Sequence, residues 1–278
     1  MEIAASRFGK GVLKGIFALL VLFLYAPLLI LLLFSFNDNN LPVFPLKGFT
    51  TDAYHDFIAN HELRAAVVTS AKVATASSAI AVALGVVAAI VLVRREFFAK
   101  PAVSVLLLSP LVVPLIALAI GLLVFLNRVP LLDPGLRAIV AGHVVLSLPY
   151  AILILAPRLE RIDVRLEEAA RDLGATPFRT FRSVTLPLIM PAIVSSFLVA
   201  FTISFDEIVI ASFVNGDATT FPLYLFSQLR FPTLLPQVMA VAVVVMFASV
   251  LLLLAAEIGR RVVERRLGTE PSPLADAA

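Results

Sequence analysis

Six stretches of this chain contain no Asp, Glu, Lys or Arg: residues 15–37, 73–93, 101–127, 138–157, 183–205 and 231–256. Each is 20 to 27 residues long. At a rise of ~1.5 Å per residue, ~20 helical residues cover the ~30 Å hydrocarbon core of a bilayer. Within that core only helices and closed barrels satisfy every backbone polar group, and a barrel would alternate apolar and polar over roughly 10-residue segments. No such alternation occurs here. A mean hydropathy of +1.02 with 15% charged residues also lies outside the soluble globular range.

The expected fold class is therefore an all-α membrane protein with six transmembrane helices. The spans are placed at about 15–36, 65–93, 101–126, 138–156, 188–214 and 237–258 of a single domain, 15–258. A short N-terminus, 1–14, precedes it, and a tail, 259–278, with the partly disordered "GTEPSPLADAA" follows.

The formal charge of +3 could suggest nucleic acid, but its distribution does not. With the N-terminus inside, 16 Lys and Arg fall in inside segments and five outside, Lys72 alone lying within a span. That bias orients a membrane chain and places both termini in the cytoplasm. The first span has the basic lead of a signal peptide but is too long and lacks a small-x-small site before Asn37-Asp38-Asn39-Asn40, so it reads as retained. With no cysteine, disulfides and thiolate metal sites are excluded.

Between the first two spans, "GFTTDAYHDFIANHELR" reads as a short interfacial helix. Ala71, Thr75, Ala79 and Ala83 form a small-residue stripe on the second span, expected to pack within the bundle. Pro110, Pro114, Pro149, Pro187 and Pro191 mark bends.

Enzymatic motifs are missing. "FGKGVLKG" lacks the spacing of a phosphate-binding loop, and His61-Glu62 is followed by Ala65 where a zinc motif needs His. His143, alone in an apolar span, reads as a hydrogen-bonding group of the bundle rather than a proton relay.

The loop at 158–187 is the most patterned polar segment. Residues 158–173 form helix, Gly174 offers a left-handed stop, and Thr176-Pro177 restarts a second short helix as N-cap and N1. Leu186-Pro187 is expected to bend the chain back into the membrane. Within it, Glu168-Ala169-Ala170, Gly174, Val184 and Leu186-Pro187 keep every spacing of E-A-A-x3-G-x9-I-x-L-P, with Val for Ile.

This pattern resembles the cytoplasmic loop of permease subunits in binding-protein-dependent ABC importers. "LLLFSFNDN", "SFDEIVIASFVNG" and "TTFPLYLFSQLRF" extend the resemblance to the spermidine/putrescine-type branch, nearest its C-type permease. The resemblance implies a type I importer fold in the bacterial inner membrane, with the hairpin as the coupling helix. It implies a second, distinct permease, a cytoplasmic ATPase dimer and an external substrate-binding protein as partners. No cofactor is expected on this chain, ATP and Mg belonging to the partner ATPase. Glu168 would anchor the hairpin, Gly174 permit its turn, and Ala169 and Ala170 permit close docking, with Leu186 and Pro187 completing the coupling set.

Asp206 and Glu207 follow 23 uncharged residues and are read as lying within the fifth span, toward its outer end. Neighbours on a helix diverge by about 100°, so one of the two at most would face a pore, with Asp206 favoured. One could line the path of a cationic solute, or the pair could lie near the outer interface and snorkel, cap or bond the partner permease; an ion pair with Lys72 is a further expectation. The function expected is ATP-driven import of a small polyamine-like cation. The alternatives are another solute of the same importer class, such as an amino acid derivative, opine or aminophosphonate, and a stand-alone secondary transporter.

Overall fold

A computed structural model describes residues 7–39, 42–128, 133–231 and 234–266. The tail sequence from Gly268 lies outside the described residues. Helices make up nearly all of what is described, and the only β pairing there is a single bridge, Asn37 to Phe49. The helices divide into two compact units, Met1–His61 with Phe226–Ala248 and Glu62–Leu225 with Ser249–Ala278.

In the first unit, α1 (Arg7–Phe34) is apolar on all sides after Lys14, and no residue of its most hydrophobic window is buried within the chain. Such a helix needs lipid or a partner around it. The chain after it folds back on α2 (Asp52–Ala59), the short helix expected there. The Ser35 hydroxyl donates to the Leu32 carbonyl and lies 2.7 Å from Tyr54 Oη. Phe36 packs on the Tyr54 ring at 5.0 Å.

The second unit holds the packed bundle. α3 (His61–Arg94) buries Ser70, Ala74, Ser77, Ser78, Ala81, Gly85 and Ala89. This face lies one residue away from the expected stripe: Thr75, Ala79 and Ala83 are exposed and Ala71 only half-buried. Spacing alone could not choose, because α3 carries small residues on two faces. Close approach to α6 (Leu136–Glu160) decides it, since a Cβ on Gly85 would stand 2.8 Å from that of Ala151.

The expected third span is two helices, α4 (Lys100–Leu108) and α5 (Leu115–Arg128), bent by 104°. A 3₁₀ turn at Ser109–Leu111 precedes the break, and Pro110 and Pro114 withhold the amides that would have carried the helix through it.

After α6 come α7 (Val164–Asp172), α8 (Pro177–Thr180) and α9 (Leu186–Phe205), then α10 (Val209–Val214) and α11 (Phe221–Gln228). α12 (Leu235–Arg266) closes the described chain.

Among the described residues, four helices are long and apolar enough to span a membrane, Gly11–Phe34, His61–Arg94, Leu136–Glu160 and Pro177–Phe205, and the bent pair adds a fifth only if its two helices are one broken span. The sixth expected span falls on α12, whose apolar part is the shorter Leu235–Leu251. The core of the second unit centres on Val73, Leu126, Ile139, Ile210 and Val214.

Candidate functional site

Two sites stand out, a hairpin at one end of the bundle and a buried polar cluster around Glu207. The hairpin helices do not follow the expected run from 158. α6 ends at Glu160, and Asp163 caps a separate α7 by accepting the Arg165 amide at 3.0 Å. α7 ends in a Schellman turn: Ala175 N donates to Ala170 O at 3.0 Å and Gly174 N to Arg171 O at 2.9 Å. Gly174 has φ +82°, as the left-handed stop required, and nothing lies within 4 Å of where its Cβ would be. Thr176 caps α8 through the Arg179 amide, with Pro177 in the first turn.

Leu186-Pro187 interrupts no helix, where a turn back into the membrane was expected. A π-turn at Phe181–Thr185 joins α8 to α9, so that Pro177–Phe205 is one 29-residue helical run. Pro187 cannot donate to residue 183 and would crowd that carbonyl in a regular helix. The wider π-turn immediately before it absorbs both defects.

The anchoring carboxylate is Glu167, not Glu168. Glu167 Oε1 accepts from Arg94 Nη2 at 3.2 Å and from Thr185 Oγ1 at 3.1 Å, tying α7 to the end of α3 and to the π-turn. Its Oε2 lies 3.6 Å from Arg171. Arg94 also donates to the Ile162 carbonyl at 3.1 Å, and Arg158 to that of Leu188. Glu168 and Ala169 are exposed, Ala170 and Leu186 half-buried, Pro187 exposed. Beside Gly174, Leu173 is 90% and Phe178 72% exposed. The sequence did carry a signal for Glu167: it shares a helix face with Ala170 at i,i+3, the side turned toward the bundle.

At the other end, Asp206 and Glu207 are not consecutive residues of one helix. α9 stops at Phe205 and α10 begins at Val209. Asp206 is exposed, whereas the Glu207 side chain is only 3% exposed. Glu207 accepts from the amides of Ile210 at 2.9 Å and Ala211 at 3.2 Å, which fastens the start of α10. Its Oε2 is 3.0 Å from His143 Nε2. The other ring nitrogen of His143 is 2.7 Å from Ser204 Oγ, itself 2.8 Å from Ser77 Oγ. His143 is thus a hydrogen-bonding group of the bundle. Among the described residues, Lys72 forms no salt bridge with either acid; its side chain lies on the exposed side of α3 while Glu207 is enclosed.

Residues 81–269 match the family described as binding-protein-dependent transport system inner membrane component. The chain is 39% identical over 215 residues to the putrescine transport system permease protein PotI of Escherichia coli (strain K12), covering 75% of this chain and 76% of that protein. It is 32% identical over 251 residues to the spermidine/putrescine transport system permease protein PotC of the same strain, covering 90% and 94%. In fold it is similar to a chain of a bacterial ABC transporter that imports the acidic polysaccharide alginate, with a TM-score of 0.69 at 17% identity over 92% of this chain and 98% of that one. The methionine ABC transporter MetNI gives a TM-score of 0.58 at 20% identity over 72% and 95%. Fold and relatives together define an inner-membrane permease subunit of an ABC importer, a transport subunit and not an enzyme. The chain belongs to the binding-protein-dependent transport system inner membrane component family.

Proposed function

We propose that this subunit carries a small polyamine-like cation, of the putrescine or spermidine type, and is driven by a cytoplasmic ATPase docked on the 158–187 hairpin. The observation that carries the coupling reading is the pairing of a fastened base with an uncovered tip. Glu167 ties α7 inward, while Leu173 and Phe178 present apolar side chains on either side of Gly174. Exposed apolar groups flanking a tight turn, with exposed Ala169 beside them, fit insertion into a partner's groove. The partners are an ATPase dimer holding ATP and Mg, a second and distinct permease, and an external binding protein. Both termini lie in the cytoplasm, the side of the basic excess.

Motion at the hairpin then has a direct route outward. The run Pro177–Phe205 is unbroken, and 29 residues at ~1.5 Å each make a rod of roughly 40 Å ending beside Asp206. On the side of α9 turned away from the bundle, Ser195, Val199, Thr202 and Asp206 fall at one-face spacing and are half-buried or exposed. The Ser195 and Thr202 hydroxyls donate back to the carbonyls of Pro191 and Leu198, so the cost against lipid falls on Asp206; that acid suits a subunit interface or an aqueous path, where it meets the cation. The cation reading draws its support from the permease relatives and this acid.

Purification of the importer tests the docking. Leu173→Asp and Phe178→Asp should each lose the ATPase while the chain remains inserted. Retention of the ATPase at wild-type stoichiometry by both variants would refute the assignment. Uptake assays with putrescine, spermidine, an opine and an aminophosphonate, using the cognate binding protein, separate the solute classes.

A further inference from the structure

Asp206 and Glu207 are adjacent in sequence and face opposite environments, and the cause is a hydrogen-bonded chain that crosses the bundle. Glu207 is turned inward by three contacts, the amides of Ile210 and Ala211 and the His143 ring. An ionised carboxylate only accepts, so His143 Nε2 carries the hydrogen of the ring–carboxylate bond. In the neutral ring, Nδ1 then accepts from the Ser204 hydroxyl, whose oxygen can in turn accept from Ser77. Ser77 belongs to α3, His143 to α6, Ser204 to α9 and Glu207 to the break just before α10. All four are buried, in a unit whose surrounding core is Ile139, Ile210, Val73 and Val214.

Buried charge in such surroundings persists where every acceptor site is satisfied, and a satisfied network fixes a unique arrangement. The arrangement fixed here is the break between α9 and α10. With Glu207 held in, Asp206 is left at the exposed end of the Ser195–Thr202 face.

We infer that His143, backed by Ser204 and Ser77, is a positioning residue for Asp206: by holding Glu207 inward it aims the neighbouring acid at the transported cation. This rests on the reading that Asp206 meets that cation. His143 itself touches no solute. A purely structural His143 would instead lower the amount of folded importer without acting through Asp206.

The test uses the complete importer in proteoliposomes, with putrescine and saturating loaded binding protein. Asp206→Asn alone should cut the initial uptake rate about tenfold, and His143→Ala should cut it by a similar factor. Together they should be no worse than Asp206→Asn alone, because the acid that His143 aims is gone. His143→Gln, whose amide can donate to Glu207 and accept from Ser204, should restore the rate to within about twofold. Where His143→Ala lowers the yield of complex, Ser204→Ala serves in the same cycle with a smaller loss. Because the chain has no cysteine, Asp206→Cys gives it a single thiol whose labelling by an impermeant maleimide can be followed by mass. That thiol should label readily, and its rate should change at least threefold when His143→Ala is added. Unchanged uptake by Asp206→Asn overturns the reading of Asp206 and this inference with it. Multiplicative losses, or an unaltered labelling rate, overturn the positioning role and leave the Asp206 reading standing.

Discussion

Replacing Glu167 by Ala removes a carboxylate that joins α7 to both α3 and the π-turn. The Arg94 and Glu167 side chains are 14% and 10% exposed, so their contact is neither a surface ion pair nor a fully enclosed one. Hydrogen bonds to a charged group contribute about 1.5–3 kcal/mol each. Two are lost, from Arg94 and Thr185, while Arg171, at 3.6 Å and half exposed, adds little. Arg94 keeps the Ile162 carbonyl, and water can reach it, which lowers the penalty for stranding its charge. The net loss is then about 3 kcal/mol, near the lower end for breaking a buried pair. At about 1.4 kcal/mol per factor of ten, that raises local opening of the hairpin roughly 100-fold. A nine-residue helix such as α7 does not persist alone in water, so an undocked hairpin exchanges its amides. Hydrogen exchange by mass spectrometry should show α7 amides losing protection by about that factor, with those of α6 unchanged. Putrescine taken up per ATP hydrolysed should fall in the same variant, because the lever has lost its fastening to α3. Adding Arg94→Ala should recover part of the loss by removing the stranded charge. Unchanged exchange in α7, or strictly additive effects of the two substitutions, would refute the clamp.

Helix packing gives a second expectation. Gly85→Ala puts a methyl 2.8 Å from Ala151 Cβ, which has no rotamer to yield, and should cost about 1–3 kcal/mol. Gly121→Ala meets nothing within 4 Å and should be neutral or slightly stabilising, as for Gly to Ala in an open helix. Thermal midpoints of fluorescently tagged protein, read by gel filtration, compare the two. Gly174→Asp should still fold and insert, at a cost of about 1 kcal/mol for holding Asp at φ +82°, because the position is otherwise open. It should nevertheless transport poorly, since it places a charge between Leu173 and Phe178 on the tip proposed to dock the ATPase. Loss of membrane insertion by that variant would show that the turn matters for folding instead.

The helices were legible because charge is so costly in hydrocarbon that its absence marks the spans. The turn at Gly174 was legible for an equally local reason, since the αL stop and the Thr176-Pro177 restart are decided by neighbouring residues. What escaped the sequence was every choice settled by a distant contact. Thr75, Ala79 and Ala83 recur as regularly as the small residues that α3 does bury, and only the approach of Ala151 to Gly85 selects between the faces. Glu167 and Glu168 differ by one position, and Arg94, far away in sequence, determines which of them is the anchor.

The same reasoning explains why the acids at the end of α9 were misread as helical neighbours. Nothing in "SFDEIVIASFV" announces a break: no Pro or Gly lies between Ser204 and Val214. The helix yields there because Glu207 gains more from two amides of α10 and the His143 ring than from continuing the α9 ladder. His143 lies 64 residues earlier, on α6, so the break is a tertiary feature written as a local one. That placement has a functional corollary. A break maintained by a proline would be fixed for any sequence around it, whereas one maintained by a side-chain network lasts only as long as α3, α6 and α9 stay in register. Motion delivered along the rod from the hairpin would strain that register at its far end, beside the acid proposed to meet the solute.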